Sequence, residues 1–393
     1  MQKEILAPDA TRALVPELAE TRHPDVWLYR YSDAANGWTL SIATHAQPGS
    51  RKLSLGGFRI APESRTSAPG FTTDREAIGL AMGMEEKVHW SRVIHVGGPL
   101  AARDMTRIVG GKCVLAPTAD ARVGQPRDFA LLDFAIACFK DVESTADIHL
   151  TTGQDLGHGL MSDGTTQSLA YLNAHFKGSV VADTSQPTGE GNFQLLKGML
   201  RALDRPLAGA TVGVLGCGNI GMHIVGCLRD AGATILAMEA RADRRAELEA
   251  AGIRTWGAGD KAAFLALPMD ALVVNAAGGT LDAAAVRACC DNARLRVVCG
   301  SENLVMPDPA GALALRDAGK VYAPTELGGM MGYLTAVEEY LAHLEGAPFE
   351  IGTLLEASKR LDTAGFEATA RVRAGGFAET FEDAVLGLYG DVD

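Results

Sequence analysis

Gly216-Cys217-Gly218-Asn219-Ile220-Gly221 forms a G-x-G-x-x-G run between an apolar segment, TVGVL (211–215), and a helix-like stretch. In that setting the first glycine permits a tight turn and the second lets backbone approach a pyrophosphate. The third lets the helix pack close to the strand, and the helix N-terminus attracts the phosphate charge. Glu239 ends the next strand-like segment, TILAME (234–239), 18 residues after Gly221. An acidic side chain at that point accepts hydrogen bonds from the adenosine ribose hydroxyls. Its charge repels a ribose phosphate, which favours NAD over NADP, although Arg241, Arg244 and Arg245 follow closely enough to hold one. The chemistry indicated here is dinucleotide binding.

A second set of charges lies upstream in glycine-rich surroundings. Gly56-Gly57 in SLGGFRI would let a ligand approach main chain closely. Lys87 closes the segment Gly83-Met84-Glu85-Glu86-Lys87, Lys112 follows Gly110-Gly111, and Asp155 sits in the turn Thr151-Thr152-Gly153-Gln154-Asp155-Leu156-Gly157. The histidines at 89, 95, 149 and 158 show no metal-ligand spacing, and His158 is the one nearest Asp155. The seven cysteines are odd in number and contain no C-x-x-C pair, so neither a disulfide framework nor a metal site is expected.

These residues need a scaffold. At 393 residues, two domains are expected; 47% apolar and 21% charged residues describe a soluble globular chain with a real core. A formal net charge of −12 argues against nucleic acid as a partner. No apolar stretch reaches the length of a membrane span, and the charged start MQKEILAPDATRALVPELAE does not read as a secretory signal. A reduced cytoplasmic setting is the expectation. Alternating apolar residues in VWLYRYS (26–32) and WTLSIATHA (38–46), joined by DAANG, predict a hairpin, and a helix is predicted from Asp74 to Glu86. Strand-and-helix alternation then runs to about residue 183. It resumes from TVGVLG through TILAME, DALVVNAA (270–277) and LRVVCG (295–300), the rhythm of parallel sheets covered by helices. TSQPTGEGN (184–192), rich in turn formers, is read as the boundary, and the tail after Tyr333 as helices.

In order along the chain, LGG, GM-x-x-K, GGK, T-x-x-D-x-G, a Q-P-T-G threonine, G-x-G-N-x-G, GS-x-N and YAP resemble the glutamate, leucine, phenylalanine and valine dehydrogenase family. The leucine and phenylalanine branch is the nearest, and the resemblance runs from roughly residue 25 to 345. It implies an α/β chain of two domains: an N-terminal substrate and oligomerisation domain (1–183) and a Rossmann doubly wound NAD-binding domain (184–335). A C-terminal helical segment (336–393) would pack back on the first. It further implies oxidative deamination of an L-α-amino acid, or reductive amination of a 2-oxo acid, by a homo-oligomer.

By the same resemblance Lys112 is the catalytic lysine, Asp155 the acid/base and Lys87 the cation for the substrate carboxylate, beside Gly56 and Gly57. Thr188 would touch the nicotinamide carboxamide, and Gly216, Gly218, Asn219, Ile220, Gly221, Glu239 and Asn303 would complete the cofactor site. These types suit the reaction. Hydride leaves the α-carbon to give an iminium, water adds, and ammonia is expelled. A lysine serves as a point charge for the carboxylate, and a desolvated lysine beside another cation titrates low enough to carry a proton. Closure of a cleft between domains would exclude water at the hydride step.

Two departures from the family pattern bear on substrate. Lys87 and Lys112 are 25 residues apart, farther than the family's pair, and the added WSRVIHVGGPLAARDMTR contributes Trp90, Arg92, His95 and Arg103. After Tyr322-Ala323-Pro324 the family's asparagine is replaced by Gly329 in TELGGMMG, where Glu326 is the nearest candidate replacement, against the plainer reading of a solvated loop carboxylate. They keep open an imine or keto-acid reductase that uses no free ammonia, and a non-catalytic NAD sensor.

Overall fold

Period-two alternation in WLYRYSD and WTLSIAT produces the expected hairpin: β2 (Trp27–Asp33) pairs antiparallel with β3 (Trp38–Thr44), Asp33 opposite Trp38. The Asp33 carboxylate caps the turn by accepting from the backbone of Ala35 and Asn36. The computed structural model describes residues 1–392, and the chain divides into two units. The first comprises residues 1–88, 103–182 and 336–349; the second comprises 89–102, 183–335 and the chain from Glu350 onward.

The first unit is built on a mixed sheet. It adds β1 (Gln2–Leu6), β4 (Leu53–Leu55), β5 (Phe58–Ile60), β6 (Ile108–Ala116), β7 (His149–Leu150) and β8 (Gln154–Leu156) to the hairpin. The order is β1-β2-β3-β6-β4-β7, with β5 pairing in parallel with both β6 and β8. Its helices are α1 (Pro8–Leu14), α2 (Glu63–Thr66), α3 (Thr73–Val93), α4 (Asp128–Ala146) and α5 (Ser168–His175). Alternate strand residues feed opposite cores. Tyr29, Ile42 and Cys113 pack with Leu131, Leu132 and Phe139 of α4, whereas Leu28, Ala43 and Val114 pack with Ala77, Ile78 and Ala81 of α3.

The second unit holds a six-stranded, all-parallel sheet of β9 (Thr211–Leu215), β10 (Thr234–Met238), β11 (Arg254–Trp256), β12 (Ala271–Val274), β13 (Val297–Gly300) and β14 (Val321–Tyr322). Its order, β11-β10-β9-β12-β13-β14, reverses direction between β9 and β12. In a doubly wound sheet the crevice beyond the strand ends at that point takes the ligand. Its helices are α6 (Ser185–Ala202), α7 (Asn219–Asp230), α8 (Ala242–Ala250), α9 (Lys261–Leu265), α10 (Ala283–Asp291), α11 (Ala310–Asp317), α12 (Thr325–Glu345), α13 (Ile351–Ala374) and α14 (Phe381–Tyr389). The boundary between units falls within α3 and within α12. Among the described residues no helix is long and apolar enough to cross a membrane.

Three segments differ from expectation. The helix predicted to stop at Glu86 continues to Val93. Val88, Trp90 and Val93 are buried along with Lys87, His89 and Ser91, so the helix shows no polar face to mark its period. TSQPTGEGN, read as a boundary loop, forms the first half of α6. Pro187 lies in its first turn, where a missing N–H costs nothing. Gly189, Gly191 and Gly198 are there for contact: a Cβ on Gly198 would lie 2.1 Å from the carbonyl oxygen of Asp362. That contact explains the third difference. The tail expected to return as a whole to the first domain is split, because α13 lies against α6 with small residues at the crossing.

Candidate active site

Strand β6 places Lys112 between Gly111 and Cys113, opposite Ala43 of β3. The glycines before it have a structural cause. A Cβ on Gly110 would lie 2.3 Å from the backbone nitrogen of Glu85 in α3, and one on Gly111 would lie 2.1 Å from Oγ of Ser54 in β4. Only bare backbone fits between α3 and β4. Gly56 and Gly57, expected to admit a ligand, instead admit other chain: a Cβ on Gly56 would meet the Gly111 carbonyl oxygen at 1.3 Å, and one on Gly57 the Gly153 carbonyl oxygen at 2.5 Å. Gly57 also has φ +75°, in the left-handed region.

The pairing of β5 with β8 carries Arg59 to the edge where Asp155 emerges. Lys112 Nζ donates to Asp155 Oδ2 at 2.5 Å, and Arg59 donates to the same oxygen at 3.0 Å and to Glu76 at 2.8 Å. The Lys112 side chain is 5% exposed and that of Asp155 32%, so the lysine is enclosed while the carboxylate faces outward. Burial pushes the Lys112 ammonium below the usual lysine range, and the nearby Arg59 charge pushes the same way, against the pull of Asp155. For the Asp155 carboxyl, burial acts upward, but the charges of Lys112 and Arg59 outweigh it and hold the group below the ordinary carboxylate range. A desolvated ammonium and an ionised carboxylate thus share one short hydrogen bond.

Lys87, read from sequence as a residue closing a helix, lies inside α3 and is buried. His158 is exposed beyond β8. Glu326, weighed as a replacement for the family's asparagine, belongs to the first turn of α12. Within that helix a Cβ on Gly328 would lie 2.0 Å from the Gly300 carbonyl oxygen and one on Gly332 2.6 Å from the Thr188 hydroxyl, so both positions are kept bare by packing.

In the second unit the three fingerprint glycines have three separate causes. Gly216 adopts φ +86°, and a Cβ there would strike the Asn275 backbone at 2.7 Å. A Cβ on Gly221 would lie 2.1 Å from the Gly216 carbonyl oxygen. Gly218, by contrast, has nothing within 4 Å of its missing side chain and caps α7 with no side-chain hydrogen bond. The space before the helix N-terminus is open, and Gly218 and Asn219 are exposed beside it with Ile220 half-buried. Glu239 accepts from the backbone N–H of Cys217 at 2.7 Å and of Arg241 at 2.9 Å, which fixes its carboxylate against the glycine loop. Thr188 is buried on α6 and donates to the Thr184 carbonyl, and Asn303 is exposed after β13.

Compared with known proteins, the chain matches no protein-family model and no curated sequence. Solved structures do match. L-tryptophan dehydrogenase from Nostoc punctiforme superposes with a TM-score of 0.62 at 17% identity, covering 96% of each chain. The Leu-bound hetero-hexameric glutamate dehydrogenase from Thermus thermophilus gives 0.64 at 17% identity, over 99% of this chain and 87% of that one. Glutamate dehydrogenase from Plasmodium falciparum gives 0.61 at 12% identity, over 97% and 86%. The fold is that of the amino-acid dehydrogenases.

Three polar residues escape the sequence reading. Arg59, which bridges Asp155 and Glu76, is marked only by a charge within the apolar strand FRI. Asn275 follows β12, and its Oδ1 accepts from the backbone and hydroxyl of Ser301 while its Nδ2 is buried without a partner. Asn192, fully buried on α6, has neither amide atom hydrogen-bonded and would meet any side chain on Gly328. Leaving such groups unpaired costs about 1–3 kcal/mol each, a cost that functional sites carry more often than plain cores.

Proposed function

We propose that the protein is a nicotinamide-dependent dehydrogenase that oxidises the carbon–nitrogen bond of an α-amino acid, or forms it in reverse. The observation that carries this reading is the buried Lys112 held on Asp155, supported by an open, glycine-shaped helix N-terminus in a parallel sheet. Gly216, Gly218, Gly221 and Glu239 would hold the dinucleotide, with Thr188 and Asn303 toward the nicotinamide. When bound, that group supplies the hydride acceptor. Lys112, its affinity for a proton lowered by burial and Arg59, takes a proton from the water that attacks the substrate's iminium carbon. Asp155, open on one side, passes protons to and from the departing nitrogen. Lys87 supplies a cation for the substrate carboxylate.

NAD is favoured over NADP because the three candidate arginines already have partners. Arg241 pairs with Asp243 at 2.5 Å, Arg244 with Glu247 at 2.7 Å, and Arg245 donates to the carbonyls of Glu239 and Ala240. Gly329, buried in α12, favours a second reading, since no side chain there holds a substrate amine: an imine or keto-acid reductase of the same fold. Absorbance of reduced nicotinamide separates the two, using L-amino acids with NAD or NADP, then 2-oxo acids with and without ammonium. Ammonium-dependent turnover supports the first reading. Turnover of a preformed imine or keto acid without ammonium supports the second, and cofactor binding with no turnover on either panel overturns both.

A further inference from the structure

Glu190 on α6 faces two residues of α7, His223 and Cys227, which stand four apart and so share one helix face. Oε2 of Glu190 lies 3.3 Å from Nε2 of His223 and 3.7 Å from Sγ of Cys227, and Sγ lies 3.4 Å from Nε2. Zinc binds nitrogen, oxygen and sulfur at about 2.0–2.3 Å, so ligand atoms at the tetrahedral angle stand about 3.4–3.6 Å apart. The three atoms thus outline one triangular face of a zinc-sized tetrahedron. Among the described residues no other three histidine, cysteine or acidic side chains converge in this way.

The surroundings are fitted to the arrangement. Gln194, one turn along α6, donates to Oε1 of Glu190 at 2.7 Å and leaves Oε2 for the other two side chains. Such outer hydrogen bonds orient metal ligands. Gly189 clears room for the imidazole, since a Cβ there would lie 2.7 Å from Cδ2 of His223. All three side chains are partly exposed, which gives an ion and a fourth, water ligand a way in.

We infer that Glu190, His223 and Cys227 bind a zinc-class divalent cation that ties α6 to α7, with the fourth position open to solvent. The sequence reading expects no metal because the cysteines form no C-x-x-C pair and His89, His95, His149 and His158 show no ligand spacing; it does not pair His223 with Cys227, and Glu190 lies 33 residues before His223. Imidazole, thiolate and carboxylate together select zinc or cobalt over magnesium or calcium, which prefer all-oxygen sites.

Cobalt(II) is the probe, added to the 393-residue chain after chelator treatment and dialysis. The expected result is one cobalt per chain, with a thiolate-to-cobalt band in the near ultraviolet, tetrahedral visible bands, and displacement by zinc. Cys227→Ser should abolish the ultraviolet band, and Gln194→Ala should weaken binding about tenfold or more. Zinc should also protect Cys227 of the unsubstituted protein from alkylation by iodoacetamide, a readout that does not depend on any variant folding. Uptake below one equivalent, an ultraviolet band that persists in Cys227→Ser, or unchanged alkylation with zinc would each overturn the site.

Discussion

In the first unit Lys112 and Arg59 converge on Asp155; in the second, Arg205 and Arg294 converge on Asp270. The ingredients match but the enclosure is inverted. Asp270 is 3% exposed and also accepts the backbone N–H of Thr211 at 2.8 Å, while its two arginines reach solvent. Asp155 is the partly open member of its cluster, and Lys112 is the enclosed one. An acid whose oxygens are surrounded by fixed donors is a tie between strands. An acid left open beside a desolvated amine has a lone pair to offer and a partner whose hold on its proton burial weakens.

The sharpest test removes the amine. Lys112→Ala should lower kcat/KM by about 10²–10⁴ while the thermal midpoint hardly changes, as scored by nicotinamide absorbance and calorimetry. A collapse of stability with turnover preserved would reverse the roles assigned to the two clusters. The converse substitution, Asp270→Asn, should cost about 2 kcal/mol in urea unfolding with kcat retained. That is less than a fully enclosed pair would lose, because the orphaned arginines turn to water. The pH dependence has a definite sign. The Asp270 carboxyl is held below its ordinary value; burial opposes this, but Arg294, Arg205 and the Thr211 N–H prevail. Its stabilisation is therefore present above the unfolded carboxylate range and lost as pH falls through the folded value. The variant and the unsubstituted protein should converge in acid.

The smallest effect concerns Arg59, a positioning residue. Its charge helps to depress Lys112, so Arg59→Gln should move the acid limb of kcat/KM for the oxidation, where Lys112 must lose its proton, upward in pH. Arg205→Gln, the matched change in the other cluster, should leave that limb in place. A shift from Arg205 and none from Arg59 would dissolve the contrast.

What the sequence revealed follows from what is local. The turn of Gly216 through Gly221, the strand TVGVL and the hairpin around Asp33 are set by near neighbours, and short-range pattern is enough to read them. What it hid depends on distant chain. Arg59 reaches Asp155 across 96 residues. Gly328 makes sense only beside Gly300 and Asn192, and Gly198 only beside Asp362. Glycines placed for such contacts look like turn formers when read alone, which is why the start of α6 passes for a boundary loop.

The crossing of α6 and α13 also sets an order of events during synthesis. Arg201 of α6 pairs with Asp362 of α13, 161 residues later in the chain. At ribosomal speeds of about 5–20 residues per second, α6 waits roughly 8–30 s for the helix that covers its glycine face. The helix that carries Thr188 therefore emerges early and is completed late. Over that interval the glycine face of α6 lacks the helix that fills it in the finished molecule.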